Sequence, residues 1–237
     1  MNPFGGSADP AITTRDGARL VFNFHGLGPP PAGEPPERIP YWCPADRFAA
    51  MLDEMARQVE DRGARIEITF DDGHRSDVEI GLPALRARRL AATFFVCSDR
   101  IGAPGFVGVD DMTAMAEAGM GIGSHGAAHV DLRALGGAEL AREADSRQAL
   151  EAATGRPVDT FAVPFGSYDR RVLAALGGYR RVYSSDGAPA RDGMRPIPRY
   201  SVRADWDAGT IAGLCDARPT VVQRARAALY RRIKALR

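Results

Sequence analysis

The nine residues Arg65 to Gly73, Arg-Ile-Glu-Ile-Thr-Phe-Asp-Asp-Gly, join an alternating apolar run to two adjacent carboxylates. Ile66, Ile68 and Phe70 recur with the two-residue period of a strand, and the closing glycine allows a sharp exit from the strand end. Neighbouring carboxylates repel one another unless a positive charge lies between them. A metal ion supplies that charge and lets one carboxylate act as a ligand while the other stays free as a base. The stretch therefore predicts a strand with a metal site at its carboxyl end.

A second motif, Gly-Ser-His-Gly-Ala-Ala-His, occupies residues 123 to 129. Its two imidazoles, His125 and His129, are four residues apart, and we expect them to project from one face of a helical turn. With one aspartate they would form a set of two nitrogen ligands and one oxygen ligand, which leaves a position open for water as catalytic sites do. Each motif is common by itself, but the two together indicate a catalytic metal centre.

Three motifs together resemble the polysaccharide deacetylases of carbohydrate esterase family 4, also called the NodB-homology domain. They are Thr-Phe-Asp-Asp-Gly at 69–73, Ser-His-Gly-Ala-Ala-His at 124–129 and Phe-Ala-Val-Pro-Phe-Gly-Ser-Tyr at 161–168. The likeness covers residues 18–205, and the third motif is similar to that of the exopolysaccharide-modifying branch. The resemblance implies a distorted seven-stranded (β/α) barrel.

The resemblance also implies roles for individual residues. In that family the first aspartate of the opening motif is the general base, and the second aspartate and both histidines bind the metal. Asp71 would then be the base, while Asp72, His125 and His129 would bind one divalent ion. Zinc suits such a tetrahedral set, and cobalt or nickel could serve the same ligands.

The residues themselves favour the same α/β fold class, because strand and helix patterns alternate along the chain. About seven strands with short connections predict a parallel sheet that closes into a barrel. The pattern includes one long helix over residues 137–154 and a last strand over 197–202. We expect a flexible N-terminal arm at residues 1–17, the barrel at 18–215 and a basic amphipathic helix at 216–237.

The third motif departs from the commonest family form at Ala162, where many members have an arginine that contacts the base. We expect Arg199, at a late strand end, to hold Asp71 instead; a purely structural salt bridge of Arg199 is the alternative. The backbone N–H of Phe165 is expected to stabilise a developing oxyanion. The rings of Phe165 and Tyr168 would either line a sugar site or pack in the interior.

The family's late Leu-x-x-His motif, which carries the general acid, is absent, because no histidine follows His129. His25 lies in Phe-His-Gly-Leu-Gly at the end of the first predicted strand, and this stretch resembles the early histidine motif of exopolysaccharide deacetylases. His25 is therefore the candidate acid, with a structural role as the alternative. His74, which directly follows Gly73, is expected to be an exposed loop residue.

Composition excludes several other classes of protein. The 237 residues are 45% hydrophobic and 26% charged, which suits one large globular domain. The net charge is +1 without a basic, aromatic-lined groove, so nucleic acid is not expected as a partner. Three widely spaced cysteines predict buried thiols rather than disulfides or a zinc ribbon. Because no signal-like start and no run of 18 apolar residues is seen, we expect a cytoplasmic protein.

The function indicated is a metal-dependent hydrolase that removes N-acetyl groups from amino sugars of a polysaccharide or its precursor, with an acetylated glycan as its partner. Two alternatives remain open. One is an amidohydrolase that acts on a small non-sugar amide through the same centre. The other is a catalytically inactive glycan-binding protein, which Ala162 and the missing late histidine make conceivable.

The C-terminal stretch differs from the rest of the chain in charge. Residues 218–237 contain seven basic and no acidic residues, and one helical face collects the apolar side chains Val222, Ala225, Leu229, Ile233 and Leu236. Such a helix is typical of weak contact with a membrane surface. Docking of the helix against the barrel is the alternative.

Overall fold

A computed structural model describes residues 18–217 and 220–236. Over those residues the chain forms a sheet of eight parallel strands in the order β7-β6-β5-β4-β3-β2-β1-β8. The strands are β1 (Leu20–Phe24), β2 (Ile66–Phe70), β3 (Ala92–Val96), β4 (Gly121–Ser124), β5 (Thr160–Ala162), β6 (Arg181–Ser184), β7 (Ile197–Pro198) and β8 (Tyr200–Ser201). The α/β barrel expected from the sequence is confirmed.

The strand count is eight rather than the predicted seven, because the expected last strand is divided at Arg199. Ile197–Pro198 pairs with β6, whereas Tyr200–Ser201 pairs with β1 at the opposite end of the sheet. One short segment therefore connects the two ends of the sheet and nearly closes the barrel. The division also leaves Arg199 between two strands.

Helices cover the outside of the sheet. Within the described residues they are α1 (Ala45–Arg62), α2 (Leu82–Ala87), α3 (Val109–Glu117), α4 (Gly137–Ala144), α5 (Arg147–Thr154), α6 (Arg170–Ala175), α7 (Ala208–Asp216) and α8 (Val221–Leu236). The predicted long helix over 137–154 is wrong, because α4 and α5 are separate. Ser146, at the break, donates its hydroxyl hydrogen bond to the Glu143 carbonyl oxygen. Such side-chain bonds to the backbone compete with a continuous helix. Helix α7 was not predicted.

The two faces of the strands have different neighbours, as the alternation of side chains along a strand requires. Phe22, Ile68 and Phe94 belong to the main apolar cluster with the buried side of α1. Val21 and Phe95 belong instead to a small separate cluster. The second set lines the barrel interior, where polar side chains of β1 and β2 also lie.

The cysteines agree with the sequence, since Cys43 and Cys97 are buried, Cys215 is half-buried and all three are free thiols. The predicted N-terminal arm, residues 1–17, lies outside the described residues. None of the helices in 18–217 and 220–236 has the length and apolar character needed to span a bilayer.

Candidate active site

The candidate site lies at the carboxyl edge of the sheet, where barrels of this type place their functional groups. His25 follows β1, Asp71 follows β2 and His125 follows β4. Phe165 lies in the turn after β5, and Arg199 separates β7 from β8. The residues come from distant parts of the sequence, and parallel pairing of the strands brings them to one edge.

Asp71 and Arg199 form a buried ion pair with two parallel contacts. Arg199 Nη1 donates to Asp71 Oδ1 and Nη2 donates to Oδ2, each over 2.7 Å. The Arg199 side chain is fully buried and that of Asp71 nearly so. Burial alone would raise the pKa of Asp71, but Arg199 and the nearby His125 lower the pKa to about 2. The contact expected from the sequence is therefore present, and it keeps Asp71 ionised at neutral pH.

Polar groups inside the barrel position this ion pair further. Asn23 donates to Asp71 Oδ2 over 2.9 Å and accepts from Arg199 Nη1 over 2.9 Å. Thr69 donates to the Asn23 side-chain oxygen, and the Ser184 carbonyl oxygen accepts from Arg199 Nε. Sequence reasoning missed Asn23, although a polar residue within the apolar strand Leu-Val-Phe-Asn-Phe was a signal for it.

Asp72, His125 and His129 form a cluster that could hold a metal ion, since one ligand atom from each lies within 4.8 Å of the others. The Nε2 atoms of both imidazoles approach Asp72 Oδ1, at 3.1 Å for His129 and 4.0 Å for His125. His125 Nδ1 lies 2.8 Å from the Ala162 carbonyl oxygen. Because a carbonyl oxygen only accepts, Nδ1 carries a hydrogen and the other ring nitrogen, Nε2, faces the cluster.

The electrostatics of the cluster agree with metal binding. Burial would raise the pKa of Asp72, but the neighbouring His74 and His129 side chains lower it well below its usual range. Burial and the nearby His125 lower the pKa of His129 to about 3. An ionised carboxylate, as at Asp72, and a neutral imidazole, as at His129, are protonation states that metal ligands need. The N,N,O donor set thus fits a divalent ion.

The loop that carries the histidines is not the predicted helical turn. After β4 the chain runs through an irregular loop, with φ of 78° at Gly126 and 56° at His129. The buried Glu143 carboxylate accepts from the backbone N–H groups of Ala127 and Ala128. A Cβ at residue 126 would come within 2.6 Å of that carboxylate. Glu143 therefore fixes the loop, a role that sequence reasoning missed.

Left-handed backbone concentrates at the candidate site. Four non-glycine residues of the described chain have positive φ, and three of them are Asp72 (77°), His129 (56°) and Phe165 (56°). Such conformations cost energy for residues with a Cβ and persist only where the surroundings impose them. The fold thus holds two of the three predicted ligands and the turn at Phe165 in fixed directions.

Two further side chains surround Asp72. Arg100 Nη1 donates to Asp72 Oδ1 over 3.2 Å, and His74 Nε2 lies 3.6 Å from Oδ2. The expectation that His74 is exposed is wrong, because its ring packs between Trp42 and Phe106 and only 6% of the residue is exposed. His74 therefore helps to position Asp72 through Oδ2, the carboxylate oxygen that the two histidines of the cluster do not approach.

Phe165 and Tyr168 of the third motif lie in different surroundings. Tyr168 is fully buried and donates to Asp186 Oδ2 over 2.7 Å, so it packs in the interior and does not line the site. Phe165 is 63% exposed, and its ring meets the His129 ring edge-on at 4.5 Å. No hydrogen bond to the Phe165 backbone N–H occurs within the described residues. This N–H is free to contact a ligand.

His25 lies close enough to the two aspartates for their charges to act on it. Burial lowers the pKa of His25, and the negative charges of Asp71 and Asp72 partly oppose that shift. The ring packs against Tyr41, with 5.1 Å between centroids. The buried Nδ1 atom has no hydrogen-bond partner within the described part of the chain.

Asp77 is a buried carboxylate that the sequence did not single out. It is fully buried at the start of a π-helical turn over Asp77–Gly81, and neither carboxylate oxygen has a hydrogen-bond partner within the described part of the chain. Burial, with the charges of Asp72 and Asp71, raises its pKa well above the usual range. Asp77 therefore favours its protonated form, unlike Asp71 and Asp72.

The fold is a parallel (β/α) barrel, and its candidate site combines an Asp-His-His cluster with an ion-paired aspartate. This combination defines a candidate hydrolytic centre. The family model described as "Polysaccharide deacetylase" matches residues 58–182, which is more than half of the chain. The chain belongs to the polysaccharide deacetylase family, as its motifs suggested.

Similar proteins agree with this assignment. YxkH of Bacillus subtilis, named as a polysaccharide deacetylase, is 31% identical over 140 residues, which are 57% of this chain. The match spans half the length of that relative. The crystal structure of BC0361, a polysaccharide deacetylase from Bacillus cereus, is 20% identical with a TM-score of 0.74, over 84% of this chain and 69% of that one. The Streptococcus pyogenes deacetylase PplD, in complex with acetate, is 17% identical with a TM-score of 0.72, over 84% and 99%. These two structures show the shared fold.

Proposed function

We propose that this protein is a metal-dependent deacetylase that hydrolyses N-acetyl groups of amino sugars in a polysaccharide or its precursor. The observation that carries the proposal is the Asp72, His125 and His129 cluster beside the Asp71–Arg199 ion pair. Family membership supports the reaction class, and acetate, which PplD holds, is the product such a reaction releases. The domain division proposed is a barrel over residues 18–215 followed by a helical C-terminal segment.

Asp72, His125 and His129 would hold the divalent ion, for which zinc is the first candidate and cobalt or nickel the others. Bound there, the ion would acidify water and polarise the acetyl carbonyl group. Asp71 would accept the proton of the attacking water. Its low pKa keeps Asp71 ionised but makes it a weak base. A base this weak can remove a proton only from a water whose pKa has been lowered. The reaction would therefore need the ion.

The Asp71–Arg199 ion pair also bears on the absence of the family's third-motif arginine, in whose place this chain has Ala162. An arginine at that position would contact the base in many relatives, whereas here Arg199 reaches Asp71 from the segment that closes the barrel. The backbone carbonyl of Ala162 instead orients His125. The loss of the motif arginine is therefore compensated, which favours an active enzyme over an inactive glycan-binding protein.

Two further groups would act on the acetyl group and on its leaving nitrogen. The free N–H of Phe165, in its left-handed turn, would donate to the oxyanion that develops on the acetyl carbonyl oxygen. His25 would donate a proton to the leaving amine. Because burial lowers the pKa of His25, it must gain this proton during turnover, and the source would be the proton that Asp71 takes from the water; the charges of Asp71 and Asp72 would favour the protonated ring.

Acetate release tests the proposal directly. The full-length protein should liberate acetate from N-acetylated glucosamine oligomers, lose this activity with a chelator and regain it with zinc, cobalt or nickel. A small aryl acetamide serves as the comparison substrate. Faster release from the small amide would assign the centre to a non-sugar substrate, and no release from either with metal present would mean an inactive protein.

We predict that His25→Ala will lower turnover on N-acetyl substrates by about 10²-fold, the usual loss for a positioned acid. Turnover of aryl acetates should fall much less, because their leaving groups scarcely need a proton. Metal content should not change. His74→Ala is the matched control, since that imidazole supports Asp72 and its loss should lower turnover of amide and ester alike. If His25→Ala lowered turnover equally on the N-acetyl substrate and on the aryl acetate, His25 would have a structural role and would not be the proton donor.

A further inference from the structure

Helix α8 contacts the barrel through the face opposite its apolar stripe. Ala227, Arg231, Lys234 and Ala235 are half-buried. Lys234 donates to Asp186 Oδ1 over 2.8 Å and lies 4.4 Å from the centre of the Tyr168 ring. The barrel therefore holds the helix by an ion pair and small side chains. The contact of the helix with the barrel, which the sequence left as the alternative, is present, but the apolar stripe does not make it.

The apolar stripe lies on the opposite face of the helix and is open to solvent. Val222 is 75% exposed, Leu229 58%, Ile233 46% and Leu236 67%. These four residues account for half of the eight large hydrophobic side chains that are exposed in the described residues, and Tyr230 on the same helix is a fifth. A contiguous apolar face of this kind marks a surface that another partner covers.

Charge identifies that partner. Arg226 and Arg232 are exposed and flank the stripe on its two sides, given 3.6 residues per turn. Residues 218–237 carry seven positive charges and no negative ones. Because the net charge of the whole chain is +1, residues 1–217 have a net charge of −6 (+1 minus +7). A second copy of the chain would bring an equally basic helix against this one, and the two would repel. An anionic lipid surface complements both the apolar stripe and its basic borders.

We propose that α8 binds anionic membrane surfaces through Val222, Leu229, Ile233 and Leu236, with Arg226 and Arg232 at the headgroups. The last turn of α8 is fixed to Asp186 and Tyr168, which follow β6 and β5 at the carboxyl edge of the sheet. The helix would thus hold the edge that carries the candidate site beside the lipid surface. The binding does not depend on the proposed activity.

Vesicle cosedimentation of the full-length protein tests this inference. The protein should bind vesicles of phosphatidylcholine with 30% phosphatidylglycerol and bind pure phosphatidylcholine at least tenfold more weakly. Leu229→Glu/Ile233→Glu should reduce binding to the anionic vesicles at least tenfold, because two exposed apolar side chains that would enter the lipid are lost. Val109→Glu, which changes an apolar side chain that is 46% exposed on α3, is the matched control and should bind like the parent.

A second pair of variants isolates the charge. Arg226→Glu/Arg232→Glu should weaken binding to the anionic vesicles at least fivefold, whereas Arg86→Glu/Arg156→Glu, with the same change of charge on other exposed positions, should have little effect. Equal binding to neutral and anionic vesicles, or none to either, would overturn the proposal. So would a dimer in sedimentation velocity that Leu229→Glu converts to monomer, because the stripe would then belong to a second copy.

Discussion

Replacing Arg199 with methionine should destabilise the protein by about 3–5 kcal/mol, because it leaves the Asp71 carboxylate buried without its charged partner. The side chain of Arg199 is fully buried, and both of its terminal nitrogens bind Asp71. The same nitrogen that meets Asp71 Oδ1 also bonds Asn23, so the substitution removes several bonds together. For a chain of this size the midpoint of thermal unfolding should fall by roughly 10 °C.

Two comparisons make the Arg199 result specific. Arg86→Met, at an exposed position, should change the free energy of unfolding by no more than about 0.5 kcal/mol. The double variant Asp71→Asn/Arg199→Met should be more stable than Arg199→Met alone, since no unpaired charge stays buried. Additive losses in the double variant would mean that the two side chains do not stabilise each other.

The sequence predicted the groups that stand directly after strands. Asp71 and Asp72 end an alternating apolar run, and His125 and His129 follow the next strand but one. Parallel strands bring their carboxyl ends to one edge, so the convergence of these four residues follows from local patterns and the fold class. The contact between Arg199 and Asp71 was also predictable, because one buried carboxylate needed a cation from another strand end.

The groups that support the site could not be predicted in the same way. Asn23 is 48 residues from Asp71, and Glu143 is 15 or 16 residues from the backbone groups it binds. A polar residue in a strand or helix pattern does not reveal whether it faces solvent or a buried partner, and only the tertiary fold decides. His74 shows this limit, because its neighbours Trp42 and Phe106 bury a residue that follows a turn glycine.

The histidine loop illustrates a different limit. A spacing of four residues suited a helical turn, yet the imidazoles converge through left-handed residues, Gly126 and His129, that Glu143 holds in place. The backbone conformation of this loop does not follow the local helical preference, because the hydrogen bonds to the buried Glu143 carboxylate of α4 fix a different conformation. The predicted ligands were chosen from residue chemistry alone, whereas the geometry of these residues depends on contacts that are distant in sequence.

Asp72→Asn should lower affinity for a divalent ion by at least about 100-fold, since even the loss of an outer partner of a metal ligand costs 10- to 100-fold. Asparagine is the suitable change, because Asp72 has a φ of 77° and asparagine tolerates left-handed backbone better than alanine does. Asp71→Asn should instead retain the ion while turnover falls by about 10²- to 10⁴-fold through loss of the base. Metal content after dialysis, measured by mass spectrometry, and acetate release from an amide and an aryl ester separate the two effects.

Asp72→Asn should therefore lose metal and both activities together, whereas Asp71→Asn should lose activity alone. Zinc added in excess should partly restore Asp72→Asn, because the amide oxygen of asparagine is a weaker ligand in the same place, and it should leave Asp71→Asn unchanged. Asp111→Asn, at an acidic residue of α3 that binds the Gly108 N–H, is the matched control and should keep full metal content and turnover. If Asp71→Asn lost the metal while Asp72→Asn kept it, the two carboxylates would have exchanged roles. If both variants kept it, the Asp-His-His cluster would not be the metal site.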